Sequence, residues 1–231
     1  MSFGKVALGV ASLVIGVSHL KNAGKHFSEA KQPGGLRGLR GGMGAPFADS
    51  GRHQTPQGSM RMRSYHIKGI EDRIAHLREL VDDGKRDPRV YAFARQAISR
   101  RCGADWCIPE KANGQEAKAI FDAVRRKVRY TSDISGVDTY QKPAHTLSLG
   151  SGDCDDYSSL LCSLMLSVGI PCRFKVIRTR GARDWNHIFA EAGFPRAAPQ
   201  KWISMDASVP VPFGWHAPAE MVADQKVFPV R

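Results

Sequence analysis

The feature that most limits what this chain can fold into is a change of hydrophobic period near Gly169. Upstream of it, apolar residues recur at helical spacing. Leu160, Leu161, Leu164 and Val168 form one stripe of a helix predicted from Ser151 to Val168, which Gly169 ends. Downstream, Cys172–Thr179 alternates with a period of two, with Phe174 and Val176 on one face, and two more short strands are predicted at Asn186–Glu191 and Lys201–Asp206. Gly193-Phe194-Pro195 opens the turn between the last two. Helices first and an antiparallel sheet after them imply an α+β fold, in which the sheet packs on the last helix.

Three more helices are predicted before it. Ile67, Ile70, Ile74, Leu77 and Val81 share a face that stops at Gly84; Asp87-Pro88 supplies an N-cap and a first-turn proline for a helix to about Arg100, with Phe93, Ala97 and Ile98 inward. The third runs from Gln115 to Tyr130 and buries Ile120, Phe121, Val124 and Val128. A 42% hydrophobic content in 231 residues is enough for such a core.

The N-terminal quarter reads differently. Val6–Leu20 is apolar between Lys5 and Lys21, too short for a spanning helix, with Gly9, Ser12 and Gly16 on it. It reads as a membrane-seeking or oligomerising helix, or as a packed or disordered tail. From Gln32 to Ser59 the chain is rich in Gly, Pro and Arg and reads as a flexible basic arm, either a tether or a contact for nucleic acid or an anionic membrane. The expected divisions are 1–31, 32–63, a helical region at 64–109, and a domain at 110–231. The net charge of +12 favours an acidic partner or simply a solvated basic surface. Five cysteines leave at least one free; none is in a C-x-x-C pair, Cys102 and Cys107 lack a second pair for zinc, and a mostly reduced chain is the simplest expectation. Cys162 and Cys172 are expected as buried packing residues.

Ser151-Gly152-Asp153-Cys154-Asp155-Asp156 carries the chemistry. A thiol at a helix start meets free N–H groups and the positive end of the dipole, which favour thiolate. The three flanking aspartates oppose this, so an imidazolium is needed beside Cys154 if it is to ionise. Gly152 is expected to let another chain pass close to the sulfur. His187 lies on the strand after the helix and Asp206 ends the next strand. Antiparallel pairing brings the two together as base and orienting acid for Cys154, the arrangement of thiol catalysis. The Cys154 N–H supplies one half of an oxyanion hole. No ligand spacing accompanies His145 or His216, so no metal or other cofactor is expected. Trp185 walls the cleft or covers the sheet edge; Arg178, Arg180 and Arg183 select an acidic substrate or form a solvated turn.

These motifs resemble the transglutaminase-like superfamily of papain-like thiol enzymes. The residues concerned are Tyr130-Thr131-Ser132-Asp133, Pro143-Ala144-His145-Thr146-Leu147, Gly152-Asp153-Cys154-Asp155-Asp156 and Gly169-Ile170-Pro171-Cys172-Arg173-Phe174. Asn186-His187-Ile188-Phe189-Ala190-Glu191 and Trp202-Ile203-Ser204-Met205-Asp206 continue the likeness, and Pro212-Phe213-Gly214-Trp215 is similar to the ending of compact phage and prophage members. The resemblance implies a papain-like fold and acyl-enzyme chemistry on peptide or isopeptide amides, with Cys154, His187 and Asp206 as the catalytic residues and with Gln141 or Tyr140, upstream of the cysteine, as candidates for the second oxyanion donor. Ala207 departs from the pattern at a turn where proline often stands. It further implies hydrolysis more than cross-linking, with a peptide or protein amide as partner. An alternative is a phage-particle component using the fold as a binding module and assembling through residues 1–60. The implied locations are the virion or the host cytoplasm, with membrane association through residues 6–20.

Overall fold

The computed structural model describes residues 67–133 and 138–231, together with the backbone of residues 52–55 and 58–61. The expectations for residues 6–20, and for most of the basic arm, lie outside the described residues. The chain divides after Arg63 into two units. In the first, Arg52–Thr55 (β1) and Gly58–Arg61 (β2) form an antiparallel hairpin with Arg52 opposite Arg61. A stretch expected to be entirely flexible therefore holds regular pairing where its glycine content falls.

The second unit is built around one buried helix. Gly69–Gly84 (α1) buries Ile74, Leu77, Leu80 and Val81. Gly84 does more than end that helix: a Cβ there would lie 2.5 Å from Ser163 Oγ and 2.6 Å from Pro143 Cγ, so glycine permits a close approach of three elements. Pro88–Ile98 (α2) begins at the predicted cap, with Asp87 Oδ1 accepting the Arg89 N–H at 2.8 Å. Its fully buried residues are Val90 and Ala94, whereas Phe93, Ala97 and Ile98 are half-buried, so the inward face is rotated from the expected one. Arg101–Cys102 (β3) and Asp105–Trp106 (β4) form a minimal hairpin.

Asn113–Lys127 (α3) buries Ile120, Phe121 and Val124, and stops before Arg129–Tyr130 (β5), which pairs in parallel with Ser151–Gly152 (β6). Both residue pairs were expected inside helices. Hydrogen bonding to each other gives their backbones partners that helix continuation would deny. Pro143–Leu149 (α4) lies between them and ends at Gly150, φ 69°.

Cys154–Ser167 (α5) is the central helix, buried on nearly every side among α1, α2, α3, α4 and the sheet. Cys172–Thr179 (β7), His187–Phe194 (β8) and Lys201–Met205 (β9) form the predicted antiparallel strands. Val222–Val230 (β10) adds an edge beside β7, giving the order β10-β7-β8-β9. Sequence reading does not find β10, because Ala223–Val227 is exposed throughout and only Phe228 and Val230 are buried. Pro229 is tolerated there, as it is at sheet edges generally. The α+β reading holds: Phe174, Val176, Ile188, Ala190 and Met205 line the core that α5 shares.

The cysteine expectations need correcting. Cys102 is disulfide-bonded to Cys107 and Cys162 to Cys172, leaving Cys154 as the free thiol. Cys162 and Cys172 are buried as expected, but they are bonded rather than merely packed. The turn at Gly169 folds β7 back onto α5, which brings together residues ten apart in sequence. Closing a loop of this size is worth about 2–3 kcal/mol in a chain-entropy account. The double variant Cys162→Ala/Cys172→Ala is expected to lose about that much stability in urea denaturation. An unchanged midpoint would mean the two thiols are not bonded in solution.

Candidate active site

The start of α5 is fixed by a capping box. Asp153 Oδ1 accepts from the N–H groups of Asp155 at 3.0 Å and Asp156 at 3.2 Å, and Asp156 Oδ2 accepts from the Asp153 N–H at 3.3 Å. This satisfies donors that a helix start otherwise leaves open. It also explains Gly152. A Cβ there would lie 2.6 Å from Asp156 Cβ and 2.7 Å from Oδ2, so the missing side chain makes room for the cap and not for a passing substrate. The Cys154 N–H is not used by the Asp153 side chain and remains a candidate oxyanion donor.

His187 is the first residue of β8, and Asp206 follows β9 directly. Pairing of Ala190 with Met205 brings the two side chains together, with His187 Nε2 2.6 Å from Asp206 Oδ2. The imidazole is also close enough to the Cys154 thiol for each to act on the other's proton. Asp206 is 4% exposed, and its other oxygen accepts from Ser208 Oγ at 2.7 Å. Sequence reasoning missed Ser208, although a hydroxyl two residues beyond an aspartate is a local signal that was there to be used.

The electrostatics are opposed. Burial pushes the Cys154 thiol up, the hydrogen bond from His187 pulls it back, and the charges of Asp155 and Asp153 push it up again. For His187, burial acts downward, but the charge and hydrogen bond of Asp206, followed by the thiol, hold it well above its ordinary value. Both groups therefore hold their protons more tightly than when free, and His187 is the group that favours thiolate at Cys154. Burial raises Asp153 to about 6 and Asp155 and Asp156 each to about 7.

Of the two upstream oxyanion candidates, Gln141 has its donors engaged elsewhere. Gln141 Nε2 donates to Asp156 Oδ2 at 2.8 Å and to Ser151 O at 3.3 Å, while the Gln141 N–H donates to Asp156 Oδ1 at 2.8 Å. Gln141 thus steadies the cap. The Tyr140 hydroxyl is sealed from solvent, and its ring meets His76 edge-on at 5.4 Å. A second residue missed by sequence reading is Arg73 of α1. Its guanidinium lies 2.6 Å from Asp138 Oδ2 and in the field of Asp155, Tyr140 and Cys154. Nothing in its sequence neighbourhood marks it, since it reaches the site only through helix packing.

The remaining candidates are peripheral. Trp185 is half-buried with Lys226 Nζ 5.5 Å from its ring centroid. Arg178 pairs with Asp224 at 3.9 Å, and Arg180 and Arg183 are exposed. His145 is exposed on α4, and His216 Nδ1 lies 3.0 Å from Ser204 Oγ.

Three solved structures are similar to the chain. One is a candidate cysteine protease from Cytophaga hutchinsonii: 15% identity, TM-score 0.39, covering 78% of this chain and 70% of that one. A candidate protease from Parabacteroides distasonis has 12% identity and TM-score 0.40, covering 72% of this chain and 41% of that one. A TGase has 14% identity and TM-score 0.36, covering 67% and 37%. The chain thus spans well under half of the last two proteins. No curated protein matches it. Residues 100–207, a segment that contains Cys154, His187 and Asp206, match the model of the Transglutaminase-like superfamily.

Proposed function

We propose that this segment is a thiol enzyme that acts on peptide or isopeptide amides through a thioester, with water resolving the acyl-enzyme more readily than an amine does. The observation that carries the reading is one imidazole held by a buried carboxylate at 2.6 Å, with the only free thiol among the described residues close enough to act on its proton. Cys154 sulfur attacks the amide carbon and the oxyanion forms beside the Cys154 N–H. His187 delivers its proton to the leaving nitrogen, and the C–N bond breaks as the thioester is left. His187 then takes a proton from water, hydroxide adds to the thioester, and the thiol is regenerated with release of the acid. Asp206 holds the ring and stabilises the imidazolium throughout.

The test is to incubate the full chain with glutamine-containing peptides and with isopeptides. Released ammonia or amine is measured, and denatured protein is weighed for an adduct on Cys154. Turnover or a thioester adduct that Cys154→Ala abolishes is expected, and added methylamine should appear in little of the product. No turnover and no adduct with any amide overturns the reading. A pushed-up thiol and a Gln141 amide already committed to Asp156 favour a second reading, in which the fold is a binding module of a phage particle. The same absence of turnover would support that reading.

A further inference from the structure

Three adjacent residues at the start of α5 place metal-binding atoms together. One oxygen of Asp153, Cys154 Sγ and one oxygen of Asp155 all lie within 4.8 Å of one another. Acidic groups alone would mean little, but Asp155 adds an independent observation. It is 4% exposed, and its Oδ1 is sealed from solvent with no hydrogen-bond partner. A buried carboxylate oxygen left in that state costs free energy that a ligand would recover. Arg73, whose charge acts on Asp155, is already engaged by Asp138 at 2.6 Å. Asp153 Oδ1 serves the helix cap.

We propose that Asp153, Cys154 and Asp155 form a site for a divalent cation of zinc type, and that the bound cation blocks the nucleophile. The donor set selects the metal. A thiolate ligand disfavours calcium and magnesium, which take oxygen ligands, whereas zinc accepts sulfur and carboxylate oxygen together. Binding forms a metal–sulfur bond, and the thiol proton passes to solvent, so one proton is released per cation bound. The dication also offsets the repulsion between two carboxylates held side by side in a poorly solvated place. Binding itself stands without the acyl-enzyme reading, while the blocking of turnover rests on it.

The test is a titration of the oxidised full chain with zinc chloride near pH 7.5 in a non-chelating buffer. The readout is the rate of Cys154 alkylation by iodoacetamide, followed by mass spectrometry of its peptide. Micromolar zinc is expected to slow alkylation, EDTA to restore it, and millimolar calcium to leave it unchanged. Each variant is normalised to its own zinc-free rate, and Asp155→Asn is expected to raise the half-protecting zinc concentration by about tenfold or more. Asp153→Asn keeps a capping oxygen and serves if Asp155→Asn does not fold; circular dichroism checks both. Absence of protection at millimolar zinc, or an unchanged half-protecting concentration in the folded variants, overturns the site. The zinc-free pH profile reports separately on the thiol enzyme, so the two readings can fail independently.

Discussion

Replacing His187 by alanine is expected to slow alkylation of Cys154 at pH 7.5 by about 10–100-fold, and to reduce amide turnover by about 10²–10⁴-fold. The alkylation effect follows from the balance at sulfur. Burial and the charges of Asp155 and Asp153 push the thiol up, and His187 is the group that pulls it back. Without the imidazole only the upward influences remain. Below the thiol pKa, each unit of upward shift removes about nine-tenths of the thiolate. The larger loss in turnover reflects a second role, because the same ring must protonate the leaving nitrogen. A pH profile for both proteins, read by mass spectrometry, checks the first part. The wild-type limb should lie to the acid side of the variant's. Superimposable profiles would remove the thiolate–imidazolium pair and with it the main support for catalysis.

Asp155→Asn is expected to stabilise the protein at alkaline pH by about 1–3 kcal/mol, with a smaller gain at pH 5 that vanishes below the unfolded value. Asp155 is held at about 7 in the fold, chiefly by burial and then by the charge of Asp153. Its unfolded value is near 3.8. Between those values the folded state binds more protons than the unfolded state, so stability falls as pH rises through the window. Below it both states are protonated and the penalty is absent. Asparagine is neutral at every pH and escapes the loss, although Arg73 then lacks one counter-charge, which trims the gain. Urea denaturation at pH 5, 7 and 8.5 gives the answer. A variant less stable than wild type at pH 8.5, or a difference that does not change with pH, would mean Asp155 is not a buried, unfavourably ionised group. Histidine 187 acts with the same sign: its folded value is raised, so the stabilisation from its pairing with Asp206 is complete below about 6.5 and is lost as pH climbs through the folded value.

Why the chain should keep three aspartates against its only described free thiol follows from what each one does. Asp153 and Asp156 complete the reciprocal cap, and Asp156 also anchors Gln141. Asp155 has no such hydrogen-bonded duty. It is the residue on which the zinc-type site and the alkaline instability both depend, so one substitution examines both from different directions.

Sequence alone determined the order of the main helices and of β7, β8 and β9. Hydrophobic period separates α5 from β7, β8 and β9 because a helix and a half-buried strand expose their side chains at incompatible spacings. It also located Cys154 at a helix start and His187 and Asp206 at strand ends, since Asp153 as a cap and Gly169 as a stop act through their nearest neighbours. Tertiary structure decided the rest. Pairing of Cys162 with Cys172, the parallel contact of β5 with β6 and the addition of β10 to the sheet each depend on where the chain returns in space. The purpose of Gly152 was likewise invisible, because an absent side chain takes its meaning from whatever fills the gap, here Asp156. Arg73 reaches the site from α1 only after α1 has packed on α5, and burial, aided by the repulsion of neighbouring acids, turns three ordinary aspartates into groups that hold their protons near neutrality. Residue identity and local spacing are short-range information, whereas desolvation and charge coupling arise only when distant segments exclude water from a shared interior.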